Sequence, residues 1–114
     1  MGITGTHALL YTSQAEELRA VLRDVFGWSH VDAHEGWLIF RLPPAEVGVH
    51  PAETPAQELS FMCDDIKATM AELESKGISF DGEPQDRPFG VGVTMVLPGD
   101  VRVLLYEPRH PTAI

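Results

Sequence analysis

The sequence predicts an α+β fold built from two paired βαβββ modules. Both halves of the 114-residue chain carry the same order of strand and helix patterns, at an offset of about 50 residues. Hydrophobic residues make up 44% of the chain and charged residues 22%, which is typical of a globular domain. A single such module cannot bury its sheet alone, so pairing is expected. We therefore predict one domain over 1–114, with modules at about 3–50 and 58–108 and a linker at 51–57.

The first module begins with a strand pattern over 3–11, which is rich in β-branched and aromatic residues. Ser13 and Glu16 have the spacing of a capping box, which predicts a helix at about 14–26 that ends at Gly27. Turn residues then separate three short strand candidates, at 28–34, 37–42 and 45–50.

The second module repeats this plan after the Pro-rich linker. A strand at 58–63 leads to Asp64, which is predicted to cap a helix that ends at Gly77. The apolar stripe of this helix is Ile66, Met70 and Leu73. The remaining strand patterns lie at 78–82, at about 90–97 and at 101–107.

Charge and cysteine content narrow the possible partners. Eight basic and 17 acidic residues give a net charge of −9, with no basic cluster, so nucleic acid and anionic membranes are poor partners. The single cysteine, Cys63, excludes an intrachain disulfide and is typical of a reducing compartment. With no signal-peptide pattern and no apolar run of about 18 residues, we expect a cytoplasmic protein that binds a small molecule or a metal ion.

Strand parity brings three metal-binding residue types to one face. Alternate side chains of a strand share a face, so the apolar sets assign His7, His50 and Glu58 to the side away from the helices. Two imidazoles and one carboxylate suit a divalent ion such as Fe, Mn, Ni or Zn. Three protein ligands leave coordination positions open for water and substrate, as catalysis requires.

Several segments match a known family over nearly all of 4–110. They are Thr6-His7-Ala8, the helix end Leu22-Arg-Asp-Val-Phe-Gly-Trp28, the strand entry Glu58-Leu-Ser-Phe-Met-Cys-Asp-Asp65 and the final turn and strand at 97–108. In these segments the chain resembles the vicinal oxygen chelate superfamily, which includes glyoxalase I, bleomycin-resistance proteins and extradiol dioxygenases. The resemblance implies curved mixed sheets, one from each βαβββ module, around a shared cavity.

The resemblance also implies which residues would bind a metal ion. The family's metal ligands on the first, fourth and fifth strands correspond to His7, His50 and Glu58, whereas the usual glutamate of the last strand is replaced by Leu104. Glu107 is expected on the opposite side, so the four-ligand set is incomplete. A three-ligand metal site and a metal-free cavity are therefore both open. Substrate-binding residues would be Tyr11, Leu104 and Tyr106, and no catalytic residue is assigned.

Two functional hypotheses follow from the resemblance. The preferred one is a glyoxalase- or dioxygenase-like metalloenzyme, in which the ion acts as a Lewis acid on substrate oxygens. The alternative is a metal-free, bleomycin-resistance-like protein that sequesters a drug or metabolite, and the acidic net charge would suit a cationic drug. A degenerate interaction protein is a third hypothesis. A homodimer is expected in every case, with the modules pairing within or between chains.

The remaining candidate residues are given ordinary structural roles. Arg41 and Arg102 are interpreted as solvated strand residues, with steering of an anionic substrate as the alternative. Trp28, Trp37 and Phe40 are interpreted as core or dimer contacts, with stacking of one of them on a ligand as the alternative, and His110 as solvent-exposed.

Overall fold

The computed structural model describes residues 2–114 as a small α+β protein with an open first half. No helix within this described part is long and apolar enough to cross a membrane. In chain order the elements are α1 (Ala15–Ala20) with a π-helical turn (Val21–Val25), β1 (His30–Asp32), β2 (Leu38–Phe40), β3 (Ser60–Met62), α2 (Ile66–Ser75), β4 (Ser79–Arg87), β5 (Gly90–Leu97) and β6 (Val101–Pro108).

The second half forms a four-stranded mixed sheet in the order β3-β6-β5-β4. Strand β3 runs parallel to β6, and the other two pairings are antiparallel. These strands match the predicted second module, except that β4 extends to Arg87 instead of ending at 82. Its pairing with β5 is irregular between Asp81 and Gln85. Gly82, at φ +83°, supplies the left-handed conformation that lets the strand continue past this irregularity.

Both helices pack on one face of this sheet. Strand parity buries Val93, Met95 and Leu97 of β5 together with Val103 and Leu105 of β6. Two clusters share this face, one centred on α2 and the other on α1, whose buried residue is Leu18. The opposite face, here called the open face, carries the half-buried side chains of Thr94, Leu104 and Tyr106.

The N-terminus of α2 is fixed by two carboxylates. The Asp65 carboxylate accepts a hydrogen bond from the Ala68 N–H at 3.0 Å, so Asp65 is the N-cap and the prediction of Asp64 was wrong by one residue. Glu107 Oε1 accepts from the Ile66 N–H at 3.0 Å. This bond ties the start of α2 to β6 and places Glu107 on the helix side, as strand parity predicts.

The start of α1 differs from the expected capping box. Its N-cap is Gln14, and no side chain caps it, so Ser13 and Glu16 do not form the predicted pair. Instead, Thr12 Oγ1 accepts from the Gln14 N–H and donates to the Pro98 carbonyl, both at 3.1 Å. A contact to the turn between β5 and β6 therefore outweighs the local capping pattern.

The first module does not close within one chain. Strands β1 and β2 pair antiparallel over three residues each, whereas the predicted strands at 3–11 and 45–50 form no ladder and have no regular secondary structure. Both segments have strand-like sequences, but a strand forms only beside a partner edge. No described part of this chain supplies such an edge to either segment.

Cys63 provides a test of packing between β3 and α2. Its side chain is half-buried among the residues of the α2 cluster, and this burial is the main reason that the pKa of its thiol is raised. The folded state therefore favours the neutral thiol over the thiolate. The stability that the fold has while Cys63 stays neutral is lost as the pH rises above about 9. We expect alkylation by iodoacetamide to show its inflection at higher pH in the native chain than in urea. Coincident pH profiles would contradict this placement.

Candidate functional site

A cavity of about 460 Å³ lies between the first helix and the unpaired segments of the first module. We call it the α1 cavity. Its walls come from residues 6–12, from the helix, from β2 with the residues that follow it, and from the start of β3. The lining includes His7, Ala15, Leu18, Arg19, Leu22, Trp28, Trp37, Leu38, Phe40, Arg41 and Phe61.

The helix wall follows directly from sequence spacing. Ala15, Leu18 and Leu22 recur at intervals of three and four residues, so they share one helix face. Leu18 is 4% exposed and packs into the α1 cluster beneath the cavity. The wall is therefore anchored in the core of the protein.

Aromatic side chains stiffen a second wall. The Trp28 ring lies 5.0 Å from that of Phe26 and 5.4 Å from that of Phe61, the latter in an edge-to-face arrangement. Such pairs add stability beyond their buried area. Trp37 and Phe40 line the cavity from the β2 side. The residues interpreted from the sequence as core or dimer contacts thus form a preorganised apolar surface.

The charged lining residues are all basic. Arg19 and Arg41 line the α1 cavity, His7 also lines it, and no Asp or Glu is among the described lining residues. Arg19 was not considered in the sequence analysis, although its position beside Leu18 places it at the margin of the apolar helix stripe. Arg41 was expected to be a solvated strand residue, and it is exposed at the cavity wall.

The predicted metal ligands are not brought together by this chain. His7 lines the α1 cavity, whereas His50 and Glu58 are exposed and lie outside it. His50 bonds locally, with Nδ1 2.8 Å from the Pro51 carbonyl oxygen. Within residues 2–114, no group of three or more His, Cys, Asp or Glu side chains is placed to hold a metal ion. As the described residues place them, His7, His50 and Glu58 do not form a donor set that fits a metal ion.

The predicted substrate-binding residues are also separated. Tyr11 is 83% exposed and does not line the α1 cavity. Leu104 and Tyr106 lie on the open face of the four-stranded sheet, where they pair in register with Ser60 and Met62. Strand parity thus placed Leu104 and Tyr106 together correctly, but on a different surface from the cavity.

A tyrosine, a histidine and a carboxylate meet at the open face. Tyr106 Oη lies 3.0 Å from His110 Nε2, and Glu46 Oε2 lies 4.0 Å from the same nitrogen. His110 Nδ1 is 2.8 Å from the Pro111 carbonyl, which only accepts, so Nδ1 carries the proton in the neutral ring. Nε2 then accepts the Tyr106 O–H. Burial, followed by the nearby Glu46 carboxylate, raises the pKa of Tyr106.

The Tyr106, His110 and Glu46 cluster corrects the expectation for His110, and it adds His110 and Glu46 to the residues of interest near the open face. His110, expected to be solvent-exposed, has a side chain only 29% exposed because Tyr106 and Glu46 cover it. Glu46 also accepts from the Ala113 N–H at 2.8 Å, which holds the C-terminal residues against the open face. No sequence spacing indicates that residues 64 positions apart, Glu46 and His110, would meet.

Solved structures with a similar fold include proteins of different activities. An antibiotic-binding protein from Streptomyces sp. CB03234, TnmS3, superposes with a TM-score of 0.68 at 22% identity, covering 95% of this chain and 98% of that one. A lactoylglutathione lyase from Agrobacterium tumefaciens gives 0.63 at 18% identity, covering 94% and 96%. A superfamily member from Sphaerobacter thermophilus DSM 20745 gives 0.64 at 18% identity, covering 94% and 99%. At these identities the likeness establishes the fold alone.

Sequence comparison settles the family. No curated protein matches the chain. The family model described as Glyoxalase/Bleomycin resistance protein/Dioxygenase superfamily matches residues 6–109, which is nearly the whole chain. The protein therefore belongs to the glyoxalase/bleomycin resistance protein/dioxygenase superfamily.

Proposed function

We propose that this protein binds a small molecule with a large apolar part in the α1 cavity without a metal, as a binding or sequestering member of its superfamily. The cavity itself is the observation that carries the proposal. Its volume of about 460 Å³ lies within the range of roughly 300–1,000 Å³ that is usual for ligand sites. Its walls combine an anchored aliphatic helix face with aromatic rings, which is the lining expected for a drug-sized or metabolite-sized ligand.

The donor geometry favours binding over metal-dependent catalysis. Similar folds include both an antibiotic-binding protein and a lactoylglutathione lyase, so the fold is compatible with either activity. In the described chain only His7 of the three predicted ligands lines the α1 cavity. In the metalloenzyme hypothesis, His7, His50 and Glu58 are the metal ligands. The measurement of metal content given below tests this hypothesis against metal-free binding.

Fluorescence provides a direct binding test. Trp28 and Trp37 are the two tryptophans of the chain and both line the α1 cavity. The neutral probe N-phenyl-1-naphthylamine should bind once per chain and accept excitation energy from them. Ala15→Phe, which fills the cavity from the helix wall, should abolish binding, whereas Ala71→Phe on the exposed side of α2 should not. Absence of binding, or equal binding in both variants, would overturn the proposal.

Metal content separates the two hypotheses. Protein purified without a histidine tag is loaded with Fe, Mn, Ni or Zn and measured beside His7→Ala and Glu58→Ala. We expect no stoichiometric ion. About one ion per chain, lost in both variants, would contradict metal-free binding and support the enzyme hypothesis.

We also propose that the protein is a homodimer in which a second copy covers the open first module. The chain exposes 8538 Å², whereas a compact monomer of 12.5 kDa exposes about 6,200 Å². The radius of gyration is 15.1 Å, compared with about 13 Å for a compact chain of this length. The excess area of about 2,300 Å² is ample for a stable interface, which needs roughly 800 Å² per partner.

The apolar residues on the unpaired segments indicate where the second copy would bind. Ile3, Tyr11, Val47 and Val49 are 73%, 83%, 89% and 97% exposed. They lie on the two segments that form no strand ladder, at 2–12 and 43–59. Strand edges of this kind readily pair with another chain. A second copy with the same two segments would supply the missing edges symmetrically.

Solution mass tests this arrangement. We expect a mass of about 25 kDa, twice 12.5 kDa, by light scattering after size exclusion. Val47→Asp/Val49→Asp should give a monomer, because two charges would have to be buried in the interface. Ala68→Asp/Ala71→Asp adds the same charge to the exposed face of α2 and should leave the dimer intact. A monomeric wild type would contradict the proposal.

We also propose that residues 1–114 form one domain, because the two modules are expected to pair. We propose a cytoplasmic location, because the single cysteine is typical of a reducing compartment.

A further inference from the structure

This inference rests on the proposed function and concerns the chemistry of the ligand. The α1 cavity is basic, although the protein is acidic. The chain has 17 carboxylate residues and eight Lys or Arg residues, yet the charged lining residues are Arg19 and Arg41, without Asp or Glu. Because two arginines line the cavity and no Asp or Glu does within residues 2–114, its local charge is positive, opposite in sign to the net charge of −9.

Neither arginine is neutralised by the protein. Ion pairs within residues 2–114 occupy Arg23, Lys76, Arg102 and Arg109, the last three bridging different elements or helix turns. Arg19 and Arg41 have no carboxylate oxygen within 4.0 Å in this described part of the chain. Lys67 and Arg87 also lack a carboxylate partner among the described residues, but neither lines the α1 cavity. Arg19 and Arg41 are therefore the two unpaired Lys or Arg residues that a ligand in the cavity would meet.

The two arginines come from different walls. Arg19 lies on α1 and is half-buried, and Arg41 follows β2 and is exposed. Between these elements the lining is apolar, with the rings of Trp28 and Trp37. A guanidinium group binds planar and tetrahedral oxyanions through paired N–H donors. We propose that the α1 cavity selects aromatic ligands that carry an acidic group, with the ring against the apolar lining and the oxyanion at Arg19 and Arg41.

This proposal reverses the expectation drawn from net charge. A net charge of −9 would suit a cationic drug if the whole surface determined the ligand. A direct contact between a bound anion and a guanidinium group acts at short range, and at the half-buried Arg19 it is screened less than between fully exposed charges. The local basic wall, rather than the total charge, should therefore determine the ligand class.

Two probes with one scaffold isolate the acidic group. The probe 8-anilino-1-naphthalenesulfonate is N-phenyl-1-naphthylamine with an added sulfonate. Arg19→Gln and Arg41→Gln should each weaken binding of the sulfonate probe about tenfold and change binding of the neutral probe by less than twofold. Arg87→Gln removes an equal charge from the exposed strand β4, outside the cavity, and should leave both affinities unchanged.

The possible results distinguish failure of the anion selectivity from failure of the proposed binding function. If the neutral probe binds and the cavity variants leave sulfonate binding unchanged, the anion selectivity is wrong and the proposed binding function survives. Equal weakening of both probes would also overturn the selectivity, because it would indicate wall damage rather than a lost charge contact. Failure of both probes to bind the wild type would overturn the proposed function and this inference together.

Discussion

Replacing Leu18 with alanine is expected to lower the free energy of unfolding by about 3 kcal/mol. Leu18 is the buried residue of α1, at 4% exposure, and it joins Ile78, Met95 and Leu97 in the cluster that holds the helix on the sheet. Truncation removes apolar contacts and leaves a cavity in a packed site. Because α1 forms one wall of the α1 cavity, the variant should also bind N-phenyl-1-naphthylamine more weakly.

Leu38→Ala is the matched control for this prediction. Leu38 also lines the α1 cavity, but it is half-exposed on the short strand β2 and is not part of the buried cluster. Its truncation should cost about 1 kcal/mol or less. Urea denaturation of both variants measures the difference. Equal losses would contradict the view that Leu18 anchors the cavity wall in the core.

Gly90→Ala is expected to destabilise the four-stranded sheet strongly. Gly90 has φ +152°, a conformation that residues with a Cβ rarely adopt. A Cβ placed there would overlap the Glu107 carbonyl oxygen of the neighbouring strand β6. Since that oxygen belongs to the backbone, relief requires moving β5 away from β6. We expect a loss above about 3 kcal/mol, or a fall in Tm of more than about 12 °C.

Gly92→Ala on the same strand separates this clash from general intolerance of β5 to alanine. Gly92 has no positive φ, and the nearest atom to its Cβ would be Leu104 Cδ1 at 3.0 Å, the end of a flexible side chain. Adjustment of Leu104 should limit the loss to about 1 kcal/mol. Circular dichroism during heating compares the two variants. A Gly90→Ala protein as stable as Gly92→Ala would show that β5 and β6 are not held in this register.

The second module was predictable because its patterns are completed within the chain. The β5 and β6 segments alternate clearly, and their parity assigned Leu105 to the helix side and Leu104 to the opposite side. The end of β4 was missed because its continuation past Gly82 depends on pairing with β5 rather than on local propensity. The helix caps shifted for a similar reason, since Thr12 and Asp65 make bonds that neighbouring residues were expected to make.

The first module shows where sequence patterns stop being sufficient. Segments 3–11 and 45–50 have strand-like sequences, but whether a strand forms depends on a partner edge, and residues 2–114 of one chain supply none to either segment. The same dependence separates His7 from His50 and Glu58, since parity assigns a face and not a distance. The α1 cavity was not predicted, because its walls come from segments that meet only in three dimensions.

A crystal structure of the protein with 8-anilino-1-naphthalenesulfonate bound tests the binding site most directly. We expect the naphthalene ring between the aromatic side chains and the helix wall beside Leu22, with the sulfonate within hydrogen-bonding distance of Arg19 and Arg41. Electron density for the probe on the open face, beside Tyr106 and away from α1, would contradict the account.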